Sequence, residues 1–167
     1  MVDNDLQIIN EVRAGNPRRY ALLVDRHKDR AMSLAVRLVG NREEAEELVQ
    51  DAFVRAFNGL GQFRGDARFS TWFYRIVYNL CMTRVSRRGW KLELLEDDDR
   101  GKSDNRLVDH EAISVFERME EEELQKVVNA EIDRLPERFK SVVLLFYVQE
   151  MSYEEIAVVI DSPVGTV

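Results

Sequence analysis

Cations, aromatic rings and amides are concentrated in one stretch of the chain, Phe63 to Arg88. Between Gly61 and Lys91 there are seven basic residues and one acid, a local charge of +6 in a chain whose net charge is −7. Aromatic rings stack on unpaired bases and guanidinium groups bind phosphates, so this combination is typical of a surface that holds single-stranded nucleic acid. The amide of Asn79, flanked by Arg75 and Tyr78, could hydrogen-bond a base edge. A core helix with a solvated basic rim explains the same composition about equally well.

Covalent catalysis is not predicted. The chain shows no carboxylate pair, nucleophile with a base, metal-ligand cluster or phosphate-binding loop at a usable spacing, so we expect no enzyme, no cofactor and no metal. His27 falls on an apolar helical stripe without a second His or Cys at ligand spacing, which favours a place in or beside the core. The single cysteine, Cys81, cannot form an internal disulfide and is predicted to be a buried thiol in a reducing compartment.

The composition predicts an all-α protein. The 167 residues include only 3 prolines and 8 glycines, and alternating Val/Ile/Thr runs are nearly absent. No apolar stretch approaches the roughly 20 residues that span a bilayer, and no apolar leader follows the initial Met. We therefore expect a cytoplasmic protein without membrane insertion.

Charge divides the chain into two unequal halves. Residues 1–88 carry +4 and the remainder carries −11. The overall acidity argues against a free-standing, non-specific DNA binder but leaves room for DNA binding through a local patch. We predict two small helical domains, at residues 1–91 and 124–167, joined by an acidic linker at residues 92–123.

Three helices are predicted to precede the cationic stretch. The first covers residues 5–14, and Pro17 opens a long second helix that runs to Gly40. Asn41 caps the third helix, with Glu44 at the capping-box position.

The third helix has one apolar face and one acidic face. Glu47, Gln50 and Asp51 lie beyond the first turn, where the helix dipole no longer explains acidic side chains. A solvated face remains the simple interpretation, but these three residues favour a docking surface for a basic partner.

The last segment predicts a helix-turn-helix corner. Ser152 to Glu155, SYEE, forms a capping box before a short apolar helix, and Ser162 with Pro163 makes a turn that could start another helix at Val164. Many helical domains contain such corners, so this pattern alone is weak.

Taken jointly, three stretches resemble the extracytoplasmic-function sigma factors of the bacterial sigma-70 family. They are EEAEELVQDAFVRAF (Glu43 to Phe57), FRGDARFSTWFYRIVYNLC (Phe63 to Cys81) and LPERFKSVVLLFYVQEMSYEEIAVVIDSPVGTV (Leu135 to Val167). Their order and spacing match the family, with a region 2 helical bundle in the first domain and a region 4 helix-turn-helix in the second. The resemblance implies a promoter-specificity subunit that binds core RNA polymerase and promoter DNA and is regulated by an anti-sigma factor.

The resemblance implies a role for each site residue. Glu47, Gln50 and Asp51 would bind the clamp helices of the largest polymerase subunit. The minus-ten element would contact Arg64, Gly65, Asp66, Ala67, Arg68, Phe69, Trp72, Arg75, Asn79, Arg84, Arg87 and Arg88. The second domain would contact the polymerase flap and read the minus-thirty-five element as duplex DNA with Ser162, Val164, Gly165 and Thr166.

The sequence departs from the family pattern at its end. Family members normally continue after VGTV with a basic helix, whereas this chain stops at Val167, so we expect an incomplete minus-thirty-five reader. The alternative function is a helix-turn-helix transcription regulator that binds duplex DNA without polymerase docking. In that case the face formed by Gln50 and Asp51 would be idle.

Overall fold

The computed structural model describes residues 4–93 and 127–167, and the side chains of residues 89–93 are left out of the description. All regular secondary structure within these ranges is helical, which confirms the predicted all-α class. The predicted acidic linker lies outside the described residues except at its first two positions.

Two predicted signals, at Gly40 and Asn41, set the end of the second helix and the start of the third. Helix α1 spans Asn4–Arg13, a 3-10 turn at Pro17–Arg19 leads into α2 at Tyr20–Val39, and α3 spans Arg42–Gly59. Gly40 ends α2 with φ at 70°, a left-handed conformation that favours glycine. The side chain of Asn41 accepts a 2.9 Å hydrogen bond from the Glu44 amide, which confirms the predicted cap of α3.

Helix α4, at Phe69–Glu93, completes the first bundle. It packs against α2 and α3 through fully buried apolar residues, and the rings of Phe53 and Phe73 stack 4.4 Å apart. Cys81 is buried in the same core, as predicted, and burial raises the pKa of its thiol to about 12 although Arg84 acts in the opposite direction. Burial of each large apolar side chain contributes about 1.5–3 kcal/mol, so α4 is held chiefly by this face.

The second helical unit begins with helical residues 127–133, which we term α5. Helix α6 spans Glu137–Val143 and continues as a π-helical turn at Leu144–Val148. Helix α7 spans Tyr153–Ile160, and both hydrogen bonds of its predicted capping box, between Ser152 and Glu155, are present. A helix is expected after Pro163, but the described residues form a 3-10 turn there, at Val164–Thr166.

The two helical units pack against each other. Gln149 Nε2 donates a 3.0 Å hydrogen bond to the carbonyl of Arg30 on α2, and Arg37 Nη1 donates one of 3.1 Å to Asn129 Oδ1 on α5. Helix α7 lies along α4. The units therefore form one folded body in this conformation.

A buried polar cluster ties α1 to α2. Asp5 Oδ2 lies 2.8 Å from His27 Nε2, and Arg26 also donates to the Asp5 carboxylate. His27 is buried among Phe69, Phe73 and other α4 side chains, as predicted for a core histidine. Burial alone would raise the pKa of Asp5, but hydrogen bonds and charges from His27 and Arg26 hold it below its usual value of 3.8.

We expect Asp5→Asn to lower the free energy of unfolding by about 1–3 kcal/mol at pH 7, because it removes the carboxylate that pairs a buried histidine. The pKa of Asp5 is lower in the folded state than its value of 3.8 in the unfolded state, so the carboxylate stabilises the fold at any pH above 3.8. This stabilisation is lost as the pH falls through the folded-state pKa. Urea unfolding between pH 7 and 3 checks both points. A variant as stable as the wild type at pH 7 would contradict the role of the cluster.

Candidate nucleic-acid interface

The loop between α3 and α4 presents exposed charges. A 3-10 turn at Leu60–Gln62 leads into it, and Gly65 adopts φ of 79°, which only glycine accepts without strain. Arg64 Nε lies 3.4 Å from Asp66 Oδ2, and both side chains are about four-fifths exposed. Such a loop can offer guanidinium groups to phosphates at little desolvation cost.

The aromatic residues at the start of α4 pack into the bundle. Phe69 is fully buried and its ring lies parallel to that of Phe73 at 5.8 Å, so in this conformation it belongs to the core and faces no DNA. This placement corrects the predicted grouping of Phe69 with the DNA-contacting surface. Trp72 is half-buried, with its ring 5.2 Å from that of Phe63 and close above Gly59. A Cβ at Gly59 would lie 3.1 Å from this indole, so glycine allows the ring to settle there.

One exposed face of α4 lines an open depression of about 590 Å³. Its lining residues follow helical spacing: Asn79, Met82, Thr83, Ser86 and Arg87. The amide of Asn79 is exposed and makes no hydrogen bond to the described part of the chain, so both its donor and its acceptor are free. Val77 and Cys81 lie buried on the other side of the helix. Helix α4 thus separates a packing face from a face that can bind ligand.

Two of the predicted DNA-binding cations, Arg84 and Arg88, pair with acids of the neighbouring helix α3. Arg84 lies 3.7 Å from Glu44 and 3.5 Å from Glu47 on α3. Arg88 pairs with the same Glu44 and donates a 3.1 Å hydrogen bond to the Val39 carbonyl at the end of α2. These arginines hold α4 against its neighbours, whereas Arg87 has no ion-pair partner among the described residues.

The predicted polymerase-binding residues lie together on the outer surface of α3. Gln50 is exposed, and Asp51 forms a 2.9 Å ion pair with Arg55 one turn along. Glu47 is largely exposed although it approaches Arg84. Val54 and Phe57 on the same helix are also exposed. The apolar pattern of α3 did not predict the exposure of Phe57. The face therefore combines acids with apolar area.

Acids of the second unit lie against the predicted minus-ten residues. Glu155 Oε1 accepts a 3.1 Å hydrogen bond from the hydroxyl of Thr71 and lies 3.8 Å from Arg68 Nη1. Asp161 Oδ1 lies 3.3 Å from Arg75 Nη2. In the sequence, the only sign of this contact is that the two halves of the chain carry opposite net charges.

Two protein-family models match the chain. Residues 23–91 match Sigma-70 region 2, and residues 126–167 match Sigma-70, region 4. RNA polymerase sigma-H factor of Pseudomonas aeruginosa is 35% identical over 99% of this chain and 86% of its own length. The chain belongs to the extracytoplasmic-function sigma factors of the sigma-70 family. ECF sigma factor SigW of Bacillus subtilis is 31% identical over 95% of this sigma factor and 86% of its own length. The ECF sigma-E factor of Escherichia coli K12 is 32% identical over 98% of this sigma factor and 86% of its own length.

Two solved structures share the fold of this sigma factor. CnrH, in complex with the cytosolic domain of CnrY, superimposes with a TM-score of 0.68 at 24% identity and covers 98% of the chain and 87% of its own. The sigma factor RpoE of Bartonella quintana, in complex with the anti-sigma factor NepR, gives a TM-score of 0.68 at 16% identity. The match covers 88% of this chain and 86% of RpoE. None of the helices in residues 4–93 and 127–167 of this sigma factor combines the length and apolar content needed to cross a membrane.

The four predicted minus-thirty-five residues lie at the corner after α7. Val164, Gly165 and Thr166 are exposed in the 3-10 turn, and Ser162 is half-buried with its amide bonded to the Ala157 carbonyl. Because neighbouring Asp161 pairs with Arg75, this corner of the sigma factor lies beside α4. The structure thus brings residues of both predicted DNA readers close together.

Proposed function

We propose that this sigma factor docks on core RNA polymerase through Glu47, Gln50 and Asp51 and captures the minus-ten non-template strand with the loop and exposed face of α4. One observation carries the proposal: Asn79 and Arg87 line an open depression on the side of α4 that faces away from the core. The exposed amide and the exposed guanidinium can thus reach a strand that lies along this face.

Strand capture requires no covalent chemistry and no cofactor. Bases that leave the duplex lose stacking, and contacts on the protein replace it at about 1–3 kcal/mol per stacked base. Trp72 offers a half-exposed ring, the Arg64–Arg68 loop offers phosphate contacts, and Asn79 offers base hydrogen bonds. Each open base captured in this way shifts the equilibrium towards melted promoter DNA.

Run-off transcription from a randomised promoter library tests this function directly. Purified protein added to core polymerase should yield transcripts that share an upstream motif, whereas core polymerase alone should not. The rival helix-turn-helix regulator would instead bind duplex DNA by itself and would not redirect core polymerase. No motif-dependent transcript would count against the sigma-factor role.

Regulation by closure follows from the contacts between the two units. Glu155 and Asp161 lie beside Arg68 and Arg75 and compete with phosphate for them, so we propose that this conformation is a closed form of the sigma factor. The complex of RpoE with the anti-sigma factor NepR supports an anti-sigma partner for this chain as well. We propose that such a partner keeps the two units together in the cytoplasm.

We expect Glu155→Gln/Asp161→Asn to raise the affinity of the free protein for single-stranded DNA about two- to tenfold, because exposed ion pairs contribute about 0–1 kcal/mol each. Both changes preserve local structure, since glutamine still completes a capping box and asparagine tolerates the left-handed conformation of Asp161. Fluorescence anisotropy with a labelled single strand measures the change.

Glu154→Gln is the matched control, because it removes one charge from the same helical turn without touching α4. Equal affinities for the wild type, the double variant and the control would argue against closure. A larger separation of two dyes on α2 and α7 in the double variant should accompany the gain in binding.

A further inference from the structure

The geometry points to Arg13 on α1 as a positioning residue for the minus-ten loop. Helix α1 lies before residues 23–91, the segment that matches Sigma-70 region 2, and no site residue was predicted on it. Its side chains nevertheless reach the entry and the tip of the loop. This inference rests on the proposed function, because the loop is the element expected to meet the non-template strand.

The guanidinium of Arg13 holds the entry to the loop. Its Nε donates a 2.9 Å hydrogen bond to the Leu60 carbonyl, and Nη2 donates to the carbonyls of Leu60 and Phe63. These carbonyls belong to the 3-10 turn and the residue directly after it. Arginine alone offers several donors in a rigid fork, so a single side chain can fix two carbonyls of a turn at once.

A second side chain of α1, that of Leu6, lies near the tip of the loop. Leu6 Cδ2 lies 3.6 Å from the place where a Cβ on Gly65 would be. Helix α1 is itself anchored by the buried residues Ile8 and Ile9 and by the pairing of Asp5 with His27. The helix is therefore a rigid support with contacts at both the base and the tip of the loop.

A held loop binds a strand more tightly than a free one. A mobile loop loses conformational freedom when it binds, whereas a loop already fixed in place avoids most of this cost. Arg13 itself touches no DNA in this scheme. It sets the position of Arg64 and its neighbours through the backbone of the turn.

Holoenzyme containing Arg13→Gln tests the inference, with single-stranded oligonucleotides that wild-type holoenzyme selects from a randomised pool. We expect about tenfold weaker binding and a flatter base preference, because hydrogen bonds to the loop carbonyls are lost. Core polymerase binding should stay unchanged. Arg13→Lys should recover only part of the affinity, since an ammonium keeps the charge but lacks the planar fork.

Arg19→Gln is the matched control. It breaks the ion pair of Arg19 with Glu11 on α1 and leaves the loop contacts intact, so oligonucleotide binding should match the wild type. Hydrogen exchange of the amides at residues 60–66 in the free protein provides a readout independent of DNA, and exchange should quicken in Arg13→Gln only.

The outcomes separate the two proposals. Unchanged exchange at residues 60–66 in Arg13→Gln overturns the positioning role, whatever the DNA result. Faster exchange with wild-type binding and base preference overturns it too. If wild-type holoenzyme selects no sequence, the proposed function fails, and exchange alone still decides whether Arg13 holds the loop.

Discussion

Gln50→Ala/Asp51→Arg is expected to weaken binding to core polymerase about 100-fold. Both side chains lie on the outer surface of α3, and Asp51 is only one turn from Arg55, with which it pairs. Removing one partner of a charge pair that is buried and hydrogen-bonded at an interface costs about 2–5 kcal/mol, and a reversed charge adds repulsion against a basic partner. The exposed side chains of Val54 and Phe57 beside these residues can supply apolar contact area.

A pull-down of purified core polymerase, followed by a titration with labelled protein, measures this loss. Asp25→Arg is the matched control, because Asp25 is an exposed acid on α2 that pairs with Lys28 three residues on. The control should bind core polymerase as the wild type does, and both variants should keep the wild-type unfolding midpoint. Undiminished binding by the double variant would remove the docking role from this face of α3.

Asn79→Ala should reduce holoenzyme binding to a single-stranded minus-ten oligonucleotide about 10- to 100-fold at one base position only. A bidentate amide contact with a base is worth about 1–3 kcal/mol of discrimination, and alanine leaves neither donor nor acceptor. Because the side-chain amide of Asn79 makes no hydrogen bond to the described part of the chain, removing this side chain should leave the fold intact. Anisotropy with a set of oligonucleotides, each changed at one position, maps the effect.

Ser86→Ala provides the comparison for this experiment. Ser86 lines the same depression two helical turns further along, so the control removes a polar group there without removing the amide. A uniform loss across all oligonucleotides with Asn79→Ala would make this residue a backbone or structural contact. A change confined to one base assigns the amide to base reading.

The two units share one hydrophobic core, to which α2, α4 and α7 all contribute buried apolar side chains. The ion pairs of Arg68 and Arg75 are partly exposed and contribute little individually. Gln149 Oε1 is buried without a hydrogen-bond partner among the described residues, although Nε2 of the same amide bonds to Arg30. An unpaired buried acceptor costs about 1–3 kcal/mol, which offsets part of the stability that the shared core provides.

The sequence alone determined the elements whose causes are local. Helix caps at Asn41 and Ser152 and the stop at Gly40 depend on side chains within a few residues, so their patterns predicted the observed helix ends. The order of the motifs identified the family, because three motifs in register are far more specific than any one.

Tertiary structure decided which predicted residues are free to act. Phe69 has the same kind of side chain as a base-stacking residue, and only the packing of α2 against α4 shows that it is buried. Arg84 and Arg88 count as basic residues in the sequence, yet acids 37 to 44 positions away neutralise them. The contacts of Arg13 with the loop and of Glu155 with Thr71 join residues 47 to 84 positions apart. Periodicity and composition describe neighbours along the chain, whereas these contacts exist only because the helices fold together.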